Sequence, residues 1–205
     1  MVGGGGHGKV LMSVLRKTGY RVLGYVDRVE AAAVLGIPCI GNDDALEDVR
    51  RSCPQCKAAI GVGKVDAESD LRMRLLAMLA HLGFALPAIV SPDATVAEEV
   101  SLGAGTVVFD GAVANAGSRV GRAGILNSNS TVEHDCEIGD NVHIAPGATV
   151  CGGVVLGDTC MVGAGAVVAH AVSVTAGCLI GAGAVVVRSL AEPGVYVGNP
   201  ARKIA

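Results

Sequence analysis

An aliphatic residue recurs at every sixth position across the second half of this 205-residue chain. The series runs without an insertion from Val96 to Val186, and Ala114 is its only member that is not Val, Leu or Ile. A period of six matches neither the helical period of about 3.6 nor the two-residue alternation of a long strand. It predicts short parallel strands joined by tight corners, three strands to each coil of eighteen residues. We therefore expect the chain to wind into a triangular prism.

Small residues stand four positions after many of these aliphatics, where the predicted corners fall. Examples are Ala112, Ser118, Ser130, Ala148 and Ala166. A corner inside a narrow prism has room only for small side chains, because protein interiors are close-packed. The cysteines at this position are therefore expected to pack in the interior: Cys136, Cys160 and Cys178.

The composition agrees with a core of aliphatic layers rather than of packed rings. The chain has 30 glycines, two phenylalanines, three tyrosines and no tryptophan, and 51% of its residues are hydrophobic. This apolar content excludes a disordered chain. The sequence has no uninterrupted apolar run of about 18 residues, so no membrane span is expected. A net charge of −3 with so few aromatic residues leaves no footprint for nucleic acid. No secretory signal is visible, so we expect a cytoplasmic protein.

The seven cysteines include one CxxC pair, Cys53 and Cys56. An odd number of cysteines without a secretory context argues against a disulfide framework. A second CxxC or a flanking pair of histidines would indicate zinc, and the sequence has neither near this pair. The two cysteines are therefore predicted to be incidental thiols.

The first ninety residues alternate between helical and extended patterns. Helices are predicted at 9–18, 43–51 and 67–82, and strands at 21–27 and 58–62. This alternation is typical of a small parallel α/β domain. Because Pro87 and the pair Ser91–Pro92 mark a link into the repeat, the sequence predicts two domains, 1–90 and 91–205.

A glycine-rich loop opens the first domain. Gly3, Gly5 and Gly8 satisfy the GxGxxG pattern, and Asp27 follows about twenty residues later. Glycine lets backbone N–H groups approach a diphosphate at a helix N-terminus. Ninety residues supply only half of a doubly wound domain, so the loop is interpreted as a site for one nucleoside diphosphate rather than for NAD. A glycine turn that binds nothing is the alternative.

One part of the repeat, residues 127–136, is polar where its neighbours are apolar. It contains His134 followed by Asp135. Polar side chains at the corners of a prism need a reason beyond packing. A cleft between subunits would supply that reason.

The repeat resembles the hexapeptide-repeat acyltransferases. Together with the α/β segment, it resembles the acetyltransferases that act on bacillosamine, perosamine and sialic acid. The likeness of the repeat extends from about residue 92 to the closing segment 197–202. It implies a Rossmann-like α/β half domain followed by a left-handed parallel β-helix, and the handedness comes from the resemblance alone. It also implies a homotrimer with active sites between subunits, acetyl-CoA as co-substrate and no metal.

The resemblance assigns the substrate site to the first domain. Gly5, Gly6 and His7 match the loop that touches the diphosphate of a nucleotide-linked amino sugar. Asp27 and Arg28 match a pair near the nucleoside. The bacillosamine branch commonly has a second acid where Arg28 stands, so the identity of the base stays open.

The resemblance assigns the chemistry to the second domain. His134 matches the general base, and Asp135 matches the acid that raises its basicity. Histidine suits this role because its unperturbed pKa of about 6.5 lies near the working pH. A backbone N–H of the adjoining coil is expected to stabilise the oxyanion. Contacts to acetyl-CoA are expected from His143, Ala164 and Ala182.

These assignments imply an acetyl-CoA-dependent N-acetyltransferase of surface glycan synthesis. Its acceptor would be the 4-amino group of a UDP-, GDP- or dTDP-linked 4-amino-4,6-dideoxy sugar, acetylated by direct transfer with His134 as base. A sugar O-acetyltransferase of the sialic acid type shares this layout, and a non-catalytic nucleotide-binding trimer would use His134 only structurally. A zinc carbonic anhydrase of the same prism type would pair His134 with His170, two coils further on, but the third ligand expected shortly after His170 is absent. His170 is interpreted as a corner residue that lines the acyl-donor groove or faces solvent.

Overall fold

The computed structural model describes residues 1–29 and 33–205. Within these residues three helices come first: α1 (Gly6–Lys17), α2 (Ala45–Ser52) and α3 (Leu71–His81). Short strands follow: β1 (Ile89–Val90), β2 (Thr95–Val96), β3 (Ser101–Leu102), β4 (Val107–Val108), β5 (Val113–Ala114), β6 (Arg119–Val120), β7 (Ile125–Leu126), β8 (Thr131–Val132), β9 (Glu137–Ile138), β10 (His143–Ile144), β11 (Thr149–Val150), β12 (Val155–Leu156), β13 (Met161–Val162), β14 (Val167–Val168), β15 (Ser173–Val174), β16 (Cys178–Ile180), β17 (Val185–Val186), β18 (Gly194–Val197) and β19 (Arg202–Lys203).

The strands form three sheets, and each sheet takes every third strand of the repeat. Face 1 contains β1, β4, β7, β10, β13 and β16 and ends with β18 and β19; face 2 contains β2, β5, β8, β11, β14 and β17; face 3 contains β3, β6, β9, β12 and β15. Strand pairs from β1 to β17 are parallel and offset by one coil, as where Ile125 lies between Val107 and His143. The six-residue period therefore folds as predicted, into a left-handed parallel β-helix.

Each corner of the prism turns on one residue with a positive φ angle. From residue 105 to 183 these residues recur every six positions, and glycine fills most of them. Asn129, Asp135 and Asn141 are non-glycine members, with φ of 56°, 58° and 55°. Asn and Asp tolerate this left-handed conformation better than other side chains, so the corner geometry itself favours an acid or amide at position 135.

The interior of the prism is the predicted ladder of aliphatic side chains. The inward residues of face 1 are fully buried: Val108, Leu126, Ile144, Val162 and Ile180. Burying each such side chain stabilises the fold by about 1.5–3 kcal/mol. The corner cysteines Cys136, Cys160 and Cys178 are fully buried, as expected. Their thiols donate to backbone carbonyls of the next coil, as Cys160 does to Thr175 at 3.1 Å. Burial raises the pKa of Cys160 to about 12, so this thiol stays protonated.

The first domain is a small parallel α/β unit built around Val2. Val2 bridges both Val26 and Ile60 in parallel register. The predicted strands at 21–27 and 58–62 are present only as isolated bridges, which also include that of Tyr25 with Cys39. Helix α1 begins at Gly6 rather than at residue 9, because the glycine loop already forms its first turn.

This domain packs on face 1 of the prism. Leu11 and Val14 of α1 pack with Val107, Phe109 and Ile125 in one buried cluster. The Lys17 ammonium also pairs with Asp93 at 2.7 Å and with Asp110 at 2.6 Å. In a triangular prism, the corner between faces 2 and 3 lies opposite face 1. The first domain, which covers face 1, therefore lies on the side of the prism away from that corner.

Two further expectations concern the cysteine pair and membranes. Cys53 and Cys56 form a disulfide, so the prediction of two incidental thiols is wrong. They come together because Cys56 N–H donates to the Cys53 carbonyl in a tight turn after α2. Among the helices of the described residues, none is long and apolar enough to cross a membrane.

Candidate active site

His134 and Asp135 lie at the corner between faces 2 and 3. The Nδ1 atom of His134 is 2.9 Å from Oδ2 of Asp135. Both side chains are open to solvent, with 58% and 73% of their surface exposed. Because the carboxylate is an acceptor, Nδ1 carries the proton in this pair, and Nε2 of a neutral ring is left as the basic nitrogen.

The backbone around this pair is fixed by the neighbouring coils. Asp135 N–H donates to the Ala116 carbonyl at 3.0 Å, and the His134 carbonyl accepts from Gly153 N–H at 2.9 Å. Gly117 leaves room for the carboxylate, since a Cβ there would come 2.5 Å from Oδ1 of Asp135. The position of the pair is therefore set by the ladder of the prism and not by a flexible loop.

Residues before the pair add a polar network, of which the sequence pattern marked only Glu133, within the polar segment 127–136. Asn115 Nδ2 donates to Oε2 of Glu133 at 2.8 Å. The hydroxyl of Ser118 donates to the Glu133 carbonyl at 2.6 Å. Asn115 and Glu133 are eighteen residues apart, which is one coil. The six-residue period therefore predicts that they are neighbours on the same side of the prism.

A cleft of about 310 Å³ lies in the first domain and contains the predicted substrate residues. Gly5, Gly6, His7, Asp27 and Arg28 all line it. The structure adds a second wall that the sequence analysis missed, formed by Gly61, Val62, Gly63, Asp43, Leu71 and Leu75. A signal for this wall was present: the GxG at 61–63 overlaps the end of the strand predicted at 58–62.

The cleft lies at the N-terminus of α1. This helix, all of whose residues are described, has no acid in its first turn and no side-chain cap at Gly5. Its first N–H groups and its positive dipole end are therefore available to an anion. Asp27 accepts from Gly4 N–H at 2.8 Å, and this bond lowers the pKa of the Asp27 carboxyl.

His7 contributes a neutral ring to the cleft. Burial first, and then the nearby charge of Arg72, lowers its pKa to about 3. Its ring lies edge-on to Phe109, with centroids 5.1 Å apart. The Nε2 atom is buried and has no hydrogen-bond partner among the described residues. A buried polar atom of this kind needs a partner from water or a ligand.

His143 lies away from the open corners, between face 1 and the first domain. Its side chain is 7% exposed. Its Nδ1 lies 2.7 Å from the Lys64 carbonyl, and its Nε2 lies 3.0 Å from Nδ2 of Asn127. The carbonyl fixes the proton on Nδ1, so Nε2 accepts from the amide. Burial lowers the pKa of His143 to about 4. The structure thus engages both ring nitrogens within the chain.

Ala164 and Ala182 lie on the corner between faces 1 and 2. They occupy the same position in successive coils, and the Ala164 carbonyl accepts from Gly183 N–H at 2.9 Å. Both are exposed. A Cβ at Gly165 or Gly183 would meet no atom within 4 Å. This corner is a strip of small residues with open space beside it.

The predicted site residues therefore occupy three separate places on one chain. The cleft lies over face 1, the strip at Ala164 and Ala182 lies between faces 1 and 2, and the His134–Asp135 pair lies between faces 2 and 3. His170 is exposed on the same corner as His134, with Gly152 in the coil between them. In the described ranges, no group of three or more His, Cys, Asp or Glu side chains could hold a metal ion.

Two family models match the chain. The PglD N-terminal domain matches residues 1–75, and the bacterial transferase hexapeptide model of six repeats matches residues 117–152. A curated relative, GDP-perosamine N-acetyltransferase of Escherichia coli O157:H7, is 34% identical over 90 residues. That match covers 44% of this chain and only 41% of the relative.

Solved structures match over the whole chain. The acetyltransferase domain of PglB from Neisseria gonorrhoeae FA1090 is 35% identical with a TM-score of 0.92, covering 99% of this chain and 97% of that one. PerB from Caulobacter crescentus, solved with CoA and GDP-perosamine, is also 35% identical with a TM-score of 0.93, covering 100% and 95%. The chain belongs to the hexapeptide-repeat nucleotide-sugar acetyltransferases. The resemblance stated from the sequence is confirmed.

As a hexapeptide-repeat nucleotide-sugar acetyltransferase, the chain is an acyltransferase. The gonococcal domain has also been solved with acetyl coenzyme A, in a structure 34% identical to this chain with a TM-score of 0.91.

Proposed function

We propose that this enzyme transfers the acetyl group of acetyl-CoA to the 4-amino group of a nucleotide-linked 4-amino-4,6-dideoxy sugar. The observation that carries the proposal is the exposed His134–Asp135 pair, joined at 2.9 Å on a rigid corner of the prism. The cleft at the glycine loop would hold the nucleotide-linked sugar. We also propose that the two domains divide between residues 90 and 91. The first strand of face 1, β1, begins two residues before this boundary, at Ile89.

The cleft suits a nucleoside diphosphate. The uncapped N-terminus of α1 offers backbone N–H groups to the phosphates. His7 is neutral at pH 7, so it would offer a hydrogen bond from its unpartnered Nε2 rather than a positive charge. Asp27 stays ionised and could accept from a ribose hydroxyl or a base. The curated relative is named for GDP-perosamine, and PerB was solved in complex with it, which makes a GDP-linked sugar the first acceptor to test.

His134 would act as the general base. Asp135 holds the ring proton on Nδ1 and stabilises the imidazolium that forms. Nε2 then accepts a proton from the sugar amine while the amine nitrogen forms a bond to the acetyl carbonyl carbon. The carbon–sulfur bond of the thioester breaks. The same Nε2 can return the proton to the departing thiolate. General-base assistance of this kind is worth roughly 10²–10⁴-fold in rate.

The corner at Ala164 and Ala182 is compatible with an acyl carrier. Bound there, acetyl-CoA would supply an activated acetyl thioester. The exposed small residues and the open space at Gly165 and Gly183 leave room for an extended chain along the coils. The contact between His143 and acetyl-CoA has less support, because both ring nitrogens of His143 already have hydrogen-bond partners within the chain. We keep that contact only as a prediction.

A second copy of the chain would complete the site. The first domain packs on face 1, and His134 lies on the corner opposite that face, so one chain cannot present its own cleft to its own base. A cyclic trimer of prisms would bring one protomer's cleft or donor strip to the next protomer's His134. We therefore propose a homotrimer with active sites between subunits.

A panel of GDP-, UDP- and dTDP-linked 4-amino-4,6-dideoxy sugars with acetyl-CoA tests the proposal. We expect thiol release with at least one of them and an amide product that resists hydroxylamine. An ester product, released by hydroxylamine, would indicate an O-acetyltransferase instead. No thiol release with any sugar, with nucleotide binding retained, would indicate a non-catalytic binding protein.

The matched variants are His134→Ala and His81→Ala. His81 is exposed at the end of α3 and does not line the cleft. We expect His134→Ala to lower kcat by roughly 10²–10⁴-fold while the Kd for CoA stays unchanged, and His81→Ala to keep wild-type turnover. Wild-type kcat in His134→Ala would remove the proposed base.

A further inference from the structure

The guanidinium of Arg72 is buried at the seam between the first domain and the prism. Arg72 is on α3, is 1% exposed, and has the largest fully buried side chain in the described residues. It makes no ion pair within those residues, and its hydrogen bonds all go to backbone carbonyls. A buried charge without a carboxylate is costly unless its donors are satisfied. This arginine is therefore expected to hold its acceptors firmly.

The acceptors come from both domains. Nε donates to the Ala123 carbonyl at 3.0 Å, and Nη2 donates to the Gly105 carbonyl at 3.4 Å, both at prism corners. Nη1 donates to the Ile60 carbonyl at 3.2 Å and to the Val62 carbonyl. The planar guanidinium presents its donors in a fixed fork, so it sets the distance between these two pairs of carbonyls.

The acceptors in the first domain belong to one wall of the cleft. Gly61, Val62 and Gly63 line the cleft, and Gly61 N–H donates to the Val2 carbonyl at 2.7 Å beside the glycine loop. Gly63 also lies against His7, because a Cβ at Gly63 would come 3.3 Å from Cβ of His7. A shift of this wall would therefore change the shape of the cleft on the side that faces His7.

We propose that Arg72 is a positioning residue that fixes the 60–63 wall of the cleft onto the prism and so shapes the nucleotide site. The inference rests on the proposed function. Among the other side-chain hydrogen bonds across this seam, those closest to the wall in sequence run from His143 to the Lys64 carbonyl and from Asn141 to the Ser69 carbonyl at 2.8 Å. The acceptor carbonyls of these two bonds lie beyond residue 63, so neither bond attaches residues 60–63 to the prism.

The test compares Arg72→Met with Arg72→Lys and with a control on the same helix, Arg74→Met. Methionine keeps an unbranched apolar stem, and lysine keeps the charge but has no fork to span both pairs of carbonyls. Arg74 is exposed and pairs only with Asp70, at 2.9 Å. The Kd values for GDP, UDP, dTDP and CoA are measured by calorimetry, and the melting temperature is recorded for each variant.

We expect Arg72→Met to raise the Kd of the nucleotide that binds wild type by about tenfold or more, since a hydrogen bond to a charged group is lost at the wall. Its Kd for CoA should stay within about twofold of wild type. Arg72→Lys should give a smaller rise in the same direction. Arg74→Met should change neither constant. In turnover, the KM for the sugar nucleotide should rise while the KM for acetyl-CoA does not.

Other outcomes overturn the inference in distinguishable ways. A folded Arg72→Met protein with an unchanged nucleotide Kd overturns the positioning role alone. If Arg72→Met does not fold, Arg72→Lys decides: an equal loss of nucleotide and CoA binding would show a purely structural residue and overturn the proposal. If wild type binds CoA but none of the three nucleotides, the proposed function fails first and the inference fails with it.

Discussion

The imidazole of His134 occupies the space that a side chain at position 152 would fill. A Cβ built on Gly152 would come 2.5 Å from Nε2 of His134. The equivalent position one coil before His134 is Ala116, so the corner backbone itself accepts a methyl group. The glycine at 152 is therefore required by the histidine ring and not by the corner.

Gly152→Ala is expected to displace the ring and lower kcat without unfolding the prism. Side chains forced off their preferred rotamer cost about 0.5–1.5 kcal/mol, and a base moved by about 1 Å loses up to roughly 10²-fold in rate. Turnover and melting temperature are measured together. Ala116→Gly, the matched change at the equivalent corner position, should keep turnover. A normal kcat in Gly152→Ala would mean that the ring is free to move without loss.

Asp135→Asn tests the orientation of the base. Asparagine accepts the left-handed backbone at this corner, where Asp135 has φ of 58°, so the fold should be kept. The amide no longer offers a negative acceptor to Nδ1–H and no longer stabilises an imidazolium. We expect kcat to fall by about tenfold or more. The fall should not exceed the whole contribution of a general base, which is roughly 10²–10⁴-fold. Steady-state kinetics with saturating acetyl-CoA measures it, and an unchanged kcat would show that Asp135 plays no part.

The prism could be predicted from the sequence because its contacts have a fixed spacing. Each inward aliphatic meets the residues eighteen positions before and after it, and this register is visible as the six-residue period. The polar pair at 134–135 was visible for the same reason, as an exception to a regular pattern. The residue that supports the pair, Gly152, also lies eighteen positions from His134, although a glycine in a glycine-rich chain gives no signal of its own.

The seam between the domains could not be predicted in this way. Arg72 meets Gly105 and Ala123, and His143 meets Lys64, through contacts whose spacing in the chain follows no period. They exist because α1 packs on face 1 and α3 packs beside the corner between faces 3 and 1, and nothing in local sequence encodes that packing. The cofactor contact predicted for His143 stays a prediction, and the sequence could not show that its ring also lies against the first domain.

Gly6→Ala and Gly8→Ala separate ligand contact from packing in the cleft. A Cβ at Gly6 would meet no atom of the chain within 4 Å, whereas a Cβ at Gly8 would collide with the Gly3 carbonyl oxygen. Gly6→Ala should therefore keep or raise the melting temperature, since alanine favours helix, but weaken nucleotide binding if the phosphates lie there. Gly8→Ala should destabilise the fold by about 1–3 kcal/mol. Calorimetry with GDP and thermal melts distinguish the two, and unaltered binding in Gly6→Ala would place the phosphates elsewhere.

His143 is expected to make the fold sensitive to acid. Its pKa is lowered to about 4 in the folded chain, by burial first and then by the charges of Arg72 and Lys64, from about 6.5 in the unfolded chain. Above pH 6.5 both states are neutral at this residue, so it has no effect. As the pH falls from 6.5 to 4, the unfolded state binds a proton that the folded state refuses, and the free energy of unfolding decreases by about 1.4 kcal/mol per pH unit.

His143→Asn should remove that slope. The variant loses stability at pH 7, since it breaks the bonds to Lys64 and Asn127, by about 1–3 kcal/mol. Its free energy of unfolding should then fall less steeply than that of wild type between pH 6.5 and 4, while other acid-sensitive groups contribute equally to both proteins. Urea unfolding at several pH values measures the two slopes, with the exposed His81→Asn as the control that should follow wild type. Parallel slopes in His143→Asn and wild type would show that this histidine titrates alike in the folded and unfolded chain.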